Sequence, residues 1–174
     1  MKPILIALCL TLPFVFSLSP LHADEHVAPS NREAVPLIFN DPQSPEDSSK
    51  PKGCISIRID NIRNTEGHLN IALFRNKKGF PDEPDKAYVL AQIATNESPC
   101  EVVIENIPYG SYAVSILHDE NGNSKMDKTW LGKPKEGFGT SNNPKIRLGP
   151  PQFEESGFVL DRETVTMVIT MKYL

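Results

Sequence analysis

Apolar residues recur at every second position in seven short stretches of the chain, the spacing of strands that bury one face. These are residues 54–60, 69–74, 87–91, 101–105, 112–117, 157–160 and 164–169. In Cys54-Ile55-Ser56-Ile57-Arg58-Ile59-Asp60 the three isoleucines fall on one side, with Ser56 and Arg58 on the other. Turn formers punctuate the runs at Asn64-Thr65-Glu66-Gly67, Pro108-Tyr109-Gly110 and Asp161-Arg162-Glu163. No stretch carries a long helical period, and at most one turn of helix is expected after Pro81. The pattern predicts an all-β fold, a seven-stranded antiparallel β-sandwich over residues 54–174, with one long loop. Roughly 120 residues suffice for one such domain with its own core.

The amino-terminal third reads differently. Lys2, an apolar run over residues 4–18 broken by Pro13, and Ala23 before an acidic start have the layout of a secretory signal over residues 1–23. The run is too short for a membrane span. Residues 24–53 are rich in Pro, Ser, Asp and Asn around one apolar island, Val35-Pro36-Leu37-Ile38-Phe39, and are expected to be a flexible leader. Cys9 goes with the signal. Cys54 and Cys100 remain, an even pair in a chain bound for an oxidising compartment, so either a disulfide worth about 2 to 4 kcal/mol or two separately buried thiols is expected.

Removing Lys2 with the signal leaves 17 basic against 22 acidic residues, a balance of −5. That excludes a nucleic-acid partner as the natural reading, and no basic run or basic amphipathic helix points to a membrane or heparin.

One region breaks the strand regularity. Residues 119–155 run without a clear strand, and so long a loop in a small domain is usually functional or locally stapled. Within His118-Asp119-Glu120-Asn121-Gly122-Asn123-Ser124-Lys125-Met126-Asp127, the side-chain oxygens of Asp119, Asn121 and Asn123, the Lys125 carbonyl and the Asp127 carboxylate fall in the order of a calcium-binding loop. Ser124 stands where an EF-hand has glycine, Trp130 stands where its closing glutamate would be, and no helices flank the loop. The expectation is therefore a calcium loop grafted between strands. Glu120 or Glu136 is the candidate for the missing carboxylate, and Asn142 and Asn143 are candidates to direct amides into the loop. With few carboxylates its affinity should be weak, with a Kd on the order of 10⁻⁴ to 10⁻³ M. The alternative is a solvated turn, since the same residues favour turns for conformational reasons.

Taken in order, a further set of motifs resembles the bacterial secreted family DUF2141. The set is Gly67-His68-Leu69-Asn70-Ile71-Ala72-Leu73-Phe74, Gly79-Phe80-Pro81, Ile107-Pro108-Tyr109-Gly110-Ser111-Tyr112-Ala113-Val114, the acidic loop, Gly137-Phe138-Gly139, Ser141-Asn142-Asn143 and Gly149-Pro150-Pro151 with Phe153. The resemblance implies an exported, prealbumin-like (transthyretin-like) sandwich in the periplasm or at the cell surface, and it brings no activity with it. The acidic loop is also similar to the Asp-x-Asn-x-Asn turn of calcium-binding repeats in bacterial adhesins.

Three roles compete. A hydrolase-type enzyme on a transthyretin-like scaffold would need clustered catalytic groups, yet the domain holds only His68 and His118 and no Gly-x-Ser-x-Gly or Cys/His set. A binding module is favoured: Trp130 and Phe138, set among glycines and lysines, either face a glycan or peptide or pack back over the long loop, the commoner fate of lone aromatics. The third role is a passive envelope-interaction domain stiffened by its cation.

Overall fold

Ile55, Ile57 and Ile59 are fully buried while Arg58 between them is exposed, so the alternation read from the sequence is the inside and outside of a sheet. The computed structural model describes residues 35–38, 51–95, 98–145 and 149–174; the expected signal over residues 1–23 lies outside them. The strands are β1 (Val35–Ile38), β2 (Lys52–Asp60), β3 (His68–Phe74), β4 (Val89–Ala94), β5 (Cys100–Pro108), β6 (Gly110–Asp119), β7 (Gly137–Thr140), β8 (Phe158–Leu160) and β9 (Thr164–Thr170). A 3₁₀ turn, Pro84–Lys86, follows Pro81 closely, and one helical turn, α1 (Phe153–Ser156), precedes β8.

Two sheets pack face to face. One has the order β1-β5-β2-β9, the other β4-β3-β6-β7, and β8 pairs with β6. Their inner faces supply Ile57, Val102, Ile104 and Ile169 from the first sheet and Leu69, Ile71, Leu73, Val114 and Ile116 from the second, all within one hydrophobic core. Each such side chain removed from water contributes roughly 1.5–3 kcal/mol. Tyr112 joins this core and donates its hydroxyl to the Pro108 carbonyl at 2.6 Å, so its polar atom is satisfied at the start of β6.

The sandwich is all-β as expected, with three differences in detail. Among the described residues of the span where seven strands were predicted there are eight, β2 to β9, because Gly137-Phe138-Gly139-Thr140 pairs with β6. Its glycines give no apolar alternation to read. The sheets are also not wholly antiparallel: β9 runs parallel to β2 from Cys54↔Thr164 to Asp60↔Thr170, and β1 runs parallel to β5. Finally, residues 119–155 are not one continuous loop, since β7 lies within them and α1 begins in them. Within the span read as a leader, the backbone of Val35–Ile38 pairs with residues 102–105 of β5.

Of the two alternatives for Cys54 and Cys100, a bridge or separate thiols, the register fits the second. Cys100 lies opposite Ile59, five residues along β2 from Cys54, a separation of roughly 17 Å where a disulfide tolerates about 7 Å between Cα atoms. Both are free thiols, and burial pushes the Cys100 thiol above its usual range.

Candidate functional site

Strand β6 ends by delivering Asp119, fully buried, to the head of the acidic loop. Asp119 Oδ1 accepts the Asn123 amide at 3.0 Å. Its Oδ2 accepts the Ser124 amide at 2.7 Å and the Asn70 side-chain amide, from neighbouring β3, at 3.2 Å. The loop continues as successive turns closed by asparagine side chains. Asn121 Oδ1 accepts the Asn123 amide at 3.0 Å, and Asn123 Oδ1 accepts the Lys125 amide at 2.8 Å. Ser124, where the calcium-loop pattern wanted glycine, takes the left-handed conformation itself, with φ 61°.

The Asn121 and Asn123 side-chain amides both donate to the Asp127 carboxylate, at 2.7 and 3.3 Å. Asn121, Asn123 and Asp127 are thus gathered by their own side chains, with Asp119 held to the same turn through the Asn123 amide. Lys125 takes part through its backbone amide.

Glu136 closes the loop from the far side. It is 4% exposed, and its two oxygens accept the backbone amides of Glu120 at 3.2 Å and Asp127 at 2.9 Å. A buried carboxylate holding two amides at opposite ends of the loop serves as its clasp. Glu120 is engaged elsewhere. Arg63 meets it with Nε at 2.7 Å and again with Nη2, and the Asn64 side-chain amide donates to it at 2.6 Å. The Arg63 guanidinium is the main reason the Glu120 carboxyl sits below the usual glutamate range. The same guanidinium lies over the Tyr173 ring, 4.5 Å from its centre.

Glu120→Gln gives the pH prediction. A carboxyl depressed in the folded state stabilises the fold above its unfolded value of about 4.3, and this contribution is lost as pH falls through the folded value. The variant should be less stable than the parent by about 1 kcal/mol at pH 7, and the two should converge as pH falls below about 4. Urea unfolding across pH 7 to 3 measures the gap; a gap that stays constant to acid pH would remove Arg63–Glu120 as its source.

His118 is fully buried, and both ring nitrogens are committed. Nε2 lies 2.9 Å from the Glu66 carbonyl, which can only accept, so Nε2 donates. Nδ1 lies 2.8 Å from the Tyr173 hydroxyl, which also accepts the Arg63 amide at 3.2 Å. His68 lies opposite Asp119 in the β3–β6 register, and its Nδ1 is buried without a hydrogen-bond partner among the described residues. The expectation for Asn142 and Asn143 is corrected. Asn142 donates to the Gly157 carbonyl at 2.6 Å, while Asn143 donates to Val168 at 2.7 Å and accepts the Thr170 amide at 2.8 Å, so they secure β8 and β9 rather than the acidic loop.

Beyond the loop, the chain forms a small hairpin. Lys128 bridges to Pro134, the Thr129 amide donates to Lys133 at 2.8 Å, the Gly132 amide donates to Thr129 at 2.8 Å, and the Lys135 amide donates to Asp127 at 2.8 Å. Trp130 and Leu131 stand at its tip, 92% and 63% exposed. Trp130 therefore does not pack over the loop. Phe138 is separate: it is half-buried in β7, opposite Leu117, and its backbone pairs with Lys172.

Sequence reasoning missed Arg63, Asn64 and Tyr173. They reach the loop across 55 to 57 residues of chain, and no local spacing signals that. Among the described residues no three His, Cys, Asp or Glu side chains are grouped as a metal would use them, and no helix is long and apolar enough to cross a membrane.

A family described as "Uncharacterized protein conserved in bacteria (DUF2141)" matches residues 57–168, a span that holds the loop, the clasp and the hairpin. No curated protein and no solved structure matches the chain.

Proposed function

Because the chain belongs to the bacterial family DUF2141, whose description carries no activity, we propose its role from the site: an exported, non-catalytic binding module. It presents the Trp130–Leu131 hairpin to a glycan, a peptide or another envelope component, while the acidic loop holds the hairpin in place. The observation that carries this reading is the 92% exposure of Trp130 on a backbone-bonded hairpin. A tryptophan left in water on an ordered turn gains nothing for folding, and it is among the residue types enriched where binding is anchored. Export rests on the signal layout of residues 1–23. The hydrolase alternative has less support, because His118 is sealed with both nitrogens engaged.

Trp130→Ala should change stability by no more than about 0.5 kcal/mol, as for other exposed positions. A photoreactive residue at position 130 in producing cells should form adducts that the same residue at Val159, also exposed, does not. If position 130 yields no more than position 159, the binding reading fails.

The convergence of Asp119, Asn121, Asn123 and Asp127 favours a second reading, in which the loop takes up calcium weakly as a structural ion. Each asparagine Oδ1 accepts one backbone hydrogen bond and so keeps a second lone pair for a cation. Calcium at about ten times Kd should then add about 1.4 kcal/mol to stability. Thermal unfolding in chelator and then in millimolar calcium tests this. An unmoved midpoint would leave the loop closed by its own hydrogen bonds alone.

A further inference from the structure

Lysines that form no basic run in the sequence are gathered by the hairpin beside its apolar tip. Residues 124–135 hold Lys125, Lys128, Lys133 and Lys135 against the single acid Asp127, on a chain whose formal net charge is −4. All four lysines are exposed. Asp127 is turned onto the Asn121 and Asn123 amides, and Lys128 has only a loose contact, 3.9 Å, with the exposed Asp82. Of the nearby carboxylates, Glu120 is paired with Arg63, and Glu136 and Asp119 are buried and accept amides of the acidic loop.

We propose that this hairpin docks the domain on an anionic phospholipid bilayer, with Trp130 and Leu131 entering the headgroup region and the lysines meeting lipid phosphates. The proposal rests on the binding-module reading and names its partner. Tryptophan favours the membrane–water interface, where its apolar ring and polar N–H are both accommodated. Lysine stems can lie along such an apolar surface with the ammonium group directed to the phosphates. The lysines also decide between a bilayer and a protein groove, because protein interfaces enrich tryptophan but deplete lysine. Each lysine near an anionic leaflet is worth about a fivefold gain in binding, and the attraction fades beyond a Debye length of about 10 Å. The backbone bonds across 128–135 hold the tip in shape before contact, so little ordering is needed on docking.

Trp130 is the only tryptophan in the chain, so intrinsic fluorescence reports on this tip and no other segment. The exported chain, without the signal over residues 1–23, is titrated with vesicles of mixed phosphatidylcholine and phosphatidylglycerol, and separately with phosphatidylcholine alone. The emission should shift to the blue on the anionic vesicles, with at least tenfold weaker binding to the neutral ones. Combining Lys128→Gln, Lys133→Gln and Lys135→Gln should weaken binding about a hundredfold, with an unfolding midpoint equal to that of the parent as the check on folding. A blue shift of equal strength on both vesicle types, untouched by the triple substitution, would overturn the anionic partner. Emission that stays that of a water-exposed indole on anionic vesicles would overturn the bilayer. If position 130 still crosslinks to a protein in that case, the binding-module reading survives with a different occupant. If it does not, both readings fall.

Discussion

Replacing Gly67 with alanine should lower the free energy of unfolding by about 3 kcal/mol or more. Gly67 sits at φ 64° immediately before β3, and a Cβ there would fall 1.9 Å from the Asp119 main-chain oxygen and 2.7 Å from the Glu120 Cα. Both obstacles are backbone, so relief requires the turn to lift away from the end of β6. That motion carries Glu66 with it, and the Glu66 carbonyl is the partner of His118 Nε2. Strain therefore spreads from the turn into the buried His118–Tyr173 contact and the base of the acidic loop. Gly122→Ala is the control: its φ is 73°, similarly left-handed, but nothing lies within 4 Å of the added carbon. It should cost about 1 kcal/mol, the conformational part alone. Urea unfolding of both variants separates the two contributions, and equal losses would defeat the close-approach account.

The second large effect is expected at Asp119. Its buried carboxylate accepts hydrogen bonds from the Asn123 and Ser124 amides and from the Asn70 side chain. Asp119→Ala removes the partner of the Ser124 amide and the Asn70 side chain and leaves the Asn123 amide to Asn121 Oδ1 alone, and losing these charge-assisted bonds should cost about 3 kcal/mol. Asp127→Ala should cost less than about 1 kcal/mol, because Asp127 is only half-buried and accepts from two side-chain amides that can turn to solvent. The two variants would also differ in amide exchange. Ser124 should exchange much faster in Asp119→Ala, and Asn123 moderately faster because Asn121 Oδ1 still accepts it, while amides of β2 and β5 keep their order. A variant as stable as its parent, with those two amides still protected, would mean that Glu136 alone closes the loop.

Much of this architecture can be read without coordinates. Alternation placed β2, β3, β5, β6 and β9 because a half-buried strand shows its two faces in residues two apart, a relation wholly local to the chain. β4 was placed two or three residues early, since Ala87 and Tyr88 lead into Val89–Ala94 with a similar apolar character. β7 escaped because two of its four residues are glycines. The loop side chains were legible for the same reason as the strands: Asp119, Asn121, Asn123 and Asp127 lie within nine residues of one another, and the turns that gather them are built from their own side chains.

What could not be read was everything that depends on which strand lies beside which. An even cysteine count and an oxidising destination argued for a bridge, but the β2–β5 register sets Cys54 and Cys100 at different levels of the sheet. Arg63 and Asn64 look like turn residues, and Tyr173 looks like the end of a strand. Their contacts with Glu120 and His118 exist because the end of β2, the start of β3 and the segment after β9 meet at one edge of the sandwich. Trp130 shows the limit most plainly. Its sequence context allowed packing or display, and only the hairpin bonds from Lys128 to Lys135, clasped below by Glu136, set it out in water. The sequence by itself determined most of the strands and the polar loop with the side chains that close it, because those follow from neighbours along the chain. The tertiary structure decided the clasp, the thiols and the exposed tip, because those follow from neighbours in space.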